Sequence, residues 1–170
     1  MSFLELAKAR YSCRKLTDAA IEPEKIERIL QATLAAPTAK NIQPYKIWAI
    51  KSAEAFDKLK QATHFTFGSS LAFVIGAKVE EAFVRPFDGK NFADIDAAIV
   101  ATHMMLAIQD EGLGTTWVGY FDVPKMKELF PEMQDYELVA IFPIGYPAED
   151  AKPSNRHEDR RSISEAVAEL

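Results

Sequence analysis

Residues 92–111, reading FADIDAAIVATHMMLAIQDE, constrain the fold more than any other stretch. Between Ala97 and Ile108 only Thr102 and His103 interrupt the apolar side chains, and no polar face recurs at helical spacing. A helix that is apolar all round has to be surrounded by other elements. The run is too short to span a bilayer, so its surroundings are a protein core. Asp94 and Asp96 open it, where carboxylates suit the positive end of the helix dipole, and Gly112 ends it. The many alanines let a second helix approach closely.

The remaining segments supply what packs around such a helix. Leu71–Ala77 reads as a strand buried on both faces, Tyr45–Ile50 is β-rich, and Leu138–Tyr146 reads as a further central strand. Residues 115–120 are strand-like. Pro23 suits a first helical turn, and Ile26, Ile29, Leu30 and Leu34 recur at helical spacing up to Pro37. Ser52 and Asp122 cap two shorter helices, while Ser2 with Glu5 and Ser162 with Glu165 form capping boxes. No repeat and no separating linker divides residues 1–170, which read as one domain. A net charge of −5, with Glu158 and Asp159 interrupting the one basic cluster at Arg156–Arg161, argues against a nucleic-acid binder. The single cysteine, Cys13, excludes an internal disulfide and fits a reducing compartment. Met1–Glu5 lacks the basic region and apolar core of a signal peptide, so a cytoplasmic location is expected.

The chemistry-bearing residues form no acid, base or nucleophile constellation. His64, His103 and His157 lack ligand spacing to one another or to Cys13, and His103 reads as a hydrogen-bonded core residue. Gly112-Leu113-Gly114 closes a helix and opens a strand, the reverse of a dinucleotide fingerprint. Three binding features stand out instead. In an extended segment Arg10, Ser12 and Arg14 share one face, which suits either an anion or a solvated linker. A loop bracketed by Pro37 and Pro44 offers Thr38, Asn41 and Gln43, neutral donors and acceptors suited to a planar heterocycle or to turn formation alone. Around Gly119, backbone N–H groups can approach a ligand closely. Binding groups without chemistry of their own point to a cofactor that reacts.

Four motifs, in order along nearly the whole chain, resemble the nitroreductase family of FMN-dependent oxidoreductases. Arg10-Tyr11-Ser12-Cys13-Arg14 resembles its RRSxR opening, and Ala36 to Tyr45 its APSxxNxQPW loop. Asp96 to Trp117 resembles its DxAxAxxxLxLxAxxxGLGxxW helix and turn, and Pro143 to Pro147 its PxGxP. Tyr11, Thr38, Tyr45 and Gly119 depart from the usual residues, and Val79–Asn91, expected as a flap, matches none of its motifs.

The resemblance implies an α+β fold, with a mainly antiparallel central sheet flanked by helices, in an intertwined homodimer with flavin at the subunit interface. It implies hydride transfer from NADH or NADPH through FMN to an electron-poor acceptor such as a nitroaromatic or quinone. By the same resemblance, Arg10, Ser12, Arg160 and Arg161 hold the FMN phosphate, and Arg14 reaches the pyrimidine side. Pro37, Thr38 and Asn41 arrive from the other subunit, with Gln43 bracing their loop. Trp117 and Val118 back the ring, and Gly119 and Tyr120 offer backbone N–H groups. Other flavin chemistry on the same scaffold, such as reductive dehalogenation or flavin fragmentation, and a non-enzymatic flavin-binding protein are the alternatives.

Overall fold

The computed structural model describes all residues, 1–170. Its helices are α1 (Phe3–Ala9), α2 (Pro23–Leu34), α3 (Ala53–Ala62), α4 (Ala93–Asp110), α5 (Val123–Leu129) and α6 (Ile163–Ala166). Strands β1 (Tyr45–Ile50), β2 (Leu71–Ala77), β3 (Gly114–Thr115) and β4 (Glu137–Gly145) form one antiparallel sheet in the order β1-β2-β4-β3. The expected α+β class is the one observed.

The sheet divides two apolar cores. Alternate residues of a strand face opposite sides, and β2 shows this directly. Phe73 and Ile75 pack with Ile29 of α2 and Ala97, Ala101 and Met104 of α4. Ala72 and Val74 pack with Phe56 and Leu59 of α3 and Met126 of α5. All seven β2 residues are therefore buried, as the uninterrupted apolar run demands. Burying each large side chain of this kind is worth roughly 1.5–3 kcal/mol.

Local signals fixed several element ends. Both capping boxes close as expected, and the Ser52 and Asp122 side chains accept from Ala55 N–H and Lys125 N–H. Three expectations need correction. Helix α4 is covered by α2 and the sheet, but not on its remaining side: Thr102 is exposed and Ile95 is 37% exposed. His103 is half-buried at the α2–α4 edge, its Nδ1 lying 3.3 Å from the Ala32 carbonyl oxygen. The strand expected over 115–120 is broken, because Gly114 faces Gly145 and Thr115 faces Ile144, while pairing resumes only at Val118 with Ile141. That register puts Pro143 opposite Thr116, and proline has no N–H to donate to a ladder.

Candidate functional site

Segment 10–16 leaves α1 in extended conformation and runs beside β3. Cys13 N–H donates to the Thr115 carbonyl at 2.9 Å, and Leu16 N–H to that of Phe67 at 2.8 Å. The approach is close enough to require glycine at 114. A Cβ there would stand 2.8 Å from Leu16 Cδ2 and 3.0 Å from Cys13 Sγ.

Extended geometry places Arg10, Ser12 and Arg14 around one cavity of about 140 Å3. The chain's C-terminal portion closes it with Ser154, Arg156, His157 and Arg160. No carboxylate lines this cavity, and none of its four arginines forms an ion pair. Arg10, Arg14, Arg156 and the Ser12 hydroxyl make no side-chain hydrogen bond, and Arg160 reaches only the Asp159 carbonyl, at 2.7 Å. Burial, and then the neighbouring Arg160 charge, hold the Arg10 guanidinium below its ordinary pKa. Burial, with the Cys13 thiol beside it, pushes the Tyr11 phenol up to about 12. Such a concentration of like charge without a counter-ion is an anion site in its donor chemistry.

Arg161 is not brought into the cavity, since its guanidinium donates to the Glu165 carbonyl. Arg156 and His157 were not among the expected residues. His157 Nε2 lies 3.1 Å from the Lys8 carbonyl oxygen and its ring stands edge-on to Tyr11. Their one signal was membership of the interrupted basic cluster.

Beyond Thr115, Trp117 packs edge-on against Phe142 with centroids 5.4 Å apart, and Val118 is buried. Gly119 and Tyr120 then come to the surface, and neither backbone N–H finds an acceptor within the chain. Both residues also line a cavity of about 460 Å3 with Thr63, His64 and Phe65.

The 37–43 loop lies against the first turn of α4. Asp96 Oδ1 accepts from Ala39 N–H at 2.9 Å, so this carboxylate serves the loop as well as the helix dipole. Thr38 Oγ1 accepts from Gln43 N–H at 3.0 Å, and Gln43 Nε2 donates to the Asn41 carbonyl at 3.2 Å. Gln43 thus braces the loop from both its backbone and its side chain. Pro37 and Asn41 are exposed, and the Asn41 amide has no partner. None of Pro37, Thr38, Asn41 or Gln43 joins the arginine cavity.

The largest cleft, about 810 Å3, contains none of these residues. Its Lys78 is neutralised by Glu81 at 2.8 Å, and its Lys127 and Gln134 exchange hydrogen bonds with each other's carbonyls.

A model of the nitroreductase family matches residues 7–68 and 64–146. The chain belongs to the nitroreductase family. A nitroreductase family protein from Clostridium difficile is 38% identical, with a TM-score of 0.90 over 99% of this chain and 98% of its own. A protein of Archaeoglobus fulgidus, provisionally named an NADH dehydrogenase/NAD(P)H nitroreductase, is 29% identical over 92% of this chain and 91% of itself. A provisionally named nitroreductase from Exiguobacterium sibiricum, crystallised with FMN, is 20% identical with a TM-score of 0.85, covering 100% of this chain and 98% of its own. That last likeness is one of fold. In this nitroreductase chain residues 10–14 and 154–160 meet at the arginine cavity, although some 140 residues separate them along the chain. No helix is long and apolar enough to cross a membrane.

Proposed function

We propose that the protein is an FMN-dependent NAD(P)H oxidoreductase that reduces an electron-poor acceptor, a nitroaromatic or a quinone. Its working unit is a cytoplasmic homodimer with flavin bound between the subunits. The observation that carries this reading is the cavity of four guanidinium groups with no carboxylate. It is sized for one terminal phosphate, and Arg10, Arg14, Arg156 and the Ser12 hydroxyl have no partner within the chain. The residues fit the group.

Arg10, Ser12 and Arg160, joined by Arg156, would hold the phosphate. Arg14 would lie toward the pyrimidine edge, where a cation favours negative charge on a reduced ring. The free N–H groups of Gly119 and Tyr120 would meet the ring's polar edge, with Trp117 and Val118 behind it. Arg161 would join the phosphate only by releasing the Glu165 carbonyl. Pro37, Thr38 and Asn41 would come from the second copy, whose α4 packs through the side left uncovered in one chain. When bound, FMN supplies the two-electron chemistry, and no side chain is required as acid or base. The chain orients donor and acceptor and excludes water. The cavity beside Gly119, with Phe65 and Tyr120 edge-on at 5.9 Å, offers aromatic surface to a planar acceptor.

Purified protein should carry a yellow cofactor whose mass is that of FMN, and anaerobic NADH or NADPH should bleach it. Addition of a quinone or nitroaromatic should restore the colour. Flavin that binds without bleaching would leave a binding protein, and absence of any flavin affinity would overturn the reading altogether.

A further inference from the structure

Four non-glycine residues in the chain adopt positive φ, and three of them fall within four positions: Lys40 at 52°, Asn41 at 55° and Gln43 at 56°. Left-handed backbone is unfavourable for L-residues, least so for asparagine. A turn holding three such residues needs something to hold it. One contact that reaches the loop from outside it is a buried carboxylate. Asp96 is 1% exposed, it forms no ion pair, Oδ1 accepts from Ala39 N–H, and Oδ2 has no partner. On packing grounds alone an apolar residue would serve better beside Ala93, Ala97 and Val100, because a buried charge with one hydrogen bond is destabilising.

We propose that Asp96 is a positioning residue that holds the strained 40–43 turn and so presents the Asn41 amide to the ligand. The contacts form a short chain. Asp96 fixes Ala39 at the turn's entrance with a charge-assisted bond, stronger than a neutral one. Thr38 and Gln43 then tie the turn to itself, leaving both as braces. Lys40 is drawn outward, its Nζ 4.7 Å from the Phe83 ring centroid. Among the loop's polar side chains, Asn41 alone makes no polar contact within the chain. What Asn41 meets rests on the flavin reading above; the hold of Asp96 on the turn does not.

Two readouts keep these parts separate. In flavin-free protein, Asp96→Ala should speed hydrogen exchange at the Ala39 amide at least about tenfold, the loss expected for one charge-assisted bond. FMN affinity should fall by a similar factor of about ten. Asp96→Asn keeps an oxygen for Ala39 and should restore both quantities to within about threefold. Adding Lys40→Gly to Asp96→Ala should recover part of the affinity, because glycine takes this φ without strain. A residue that merely stabilises the fold would lower the melting temperature with no rescue by either change, and that result overturns the proposal. Should Asp96→Ala fail to fold, the wild-type protein still decides. Its Ala39 amide should exchange about a hundredfold more slowly than the unpartnered Lys40 amide, and equal rates would refute the hold. If wild-type protein ignores FMN while Ala39 stays protected, the flavin reading falls and the hold of Asp96 on the turn stands.

Discussion

The arginine cavity and the 37–43 loop are both polar, both built on irregular backbone, and opposite in design. The cavity gathers charge from the two ends of one chain and leaves it without a counter-ion. The loop carries one cation, Lys40, turned onto the Phe83 ring, satisfies most of its neutral groups internally, and leaves one free amide that lines neither the arginine cavity nor the cavity beside Gly119. Charge at close quarters is destabilising unless an anion arrives, so the cavity is defined by what it lacks. A strained turn with a free amide is defined instead by the one group it leaves unpartnered. The difference teaches that one chain gathers a full set of cationic donors at one cavity, whereas under the proposed function it holds only part of a site for an uncharged ring and a second copy would supply the remainder.

Breaking the cavity should have the largest effect. Arg10→Ala with Arg160→Ala removes two charge-assisted bonds, each worth about 1.5–3 kcal/mol, so FMN affinity should fall roughly 10²–10⁴-fold. Arg161→Ala should cost far less, since that guanidinium is engaged at Glu165. Isothermal titration of the variants checks both, and a larger loss for Arg161 would move the phosphate.

The loop's dependence on a second copy is sharpened by a mixed dimer. One subunit carries Asn41→Ala and the other Arg10→Ala/Arg160→Ala. Shared sites leave one intact site per dimer and one doubly damaged. Lesions acting within one chain leave no intact site. FMN titration should find one wild-type affinity in the mixture, and Asn41→Ala alone should weaken binding about tenfold.

Gly114→Ala perturbs the cavity from behind, by forcing Cys13 and Leu16 away from β3. Overpacking of this kind is destabilising by about 1–3 kcal/mol. Denaturant melts should show that loss, together with weaker FMN binding and little change at the 37–43 loop.

The smallest effect expected lies away from both regions. Arg28 holds the Glu111 carboxyl below its ordinary pKa through a bidentate pair at 2.6 and 2.7 Å. A folded-state pKa below the unfolded one gives stability above the unfolded value, lost as pH falls through the folded value. Glu111→Gln should therefore cost up to about 1 kcal/mol at pH 7, typical of a surface pair. The difference from wild type should shrink as pH falls below about 4.3.

How much of this was legible depended on how far each signal reached along the chain. The capping boxes at Ser2 and Ser162 are local and came through intact, as did the fully buried β2. The shared face of Arg10, Ser12 and Arg14 needed only an extended backbone. Arg156 and His157 carry no local mark of a site role, because only tertiary folding brings them to the cavity beside Tyr11. Asp96 was legible as a dipole partner, but its bond to Ala39 spans 57 positions and left no local trace. The break at Thr116 was written in Pro143, and reading it required the register between β3 and β4.

The central claim is that the cavity takes a phosphate. Paired titrations with FMN and riboflavin, which share the ring and differ in that phosphate, test it most directly. The wild-type protein should bind FMN at least about a thousandfold more tightly, and Arg10→Ala/Arg160→Ala should erase most of that margin while leaving riboflavin affinity nearly unchanged. Equal affinity for the two flavins in wild-type protein would contradict the account.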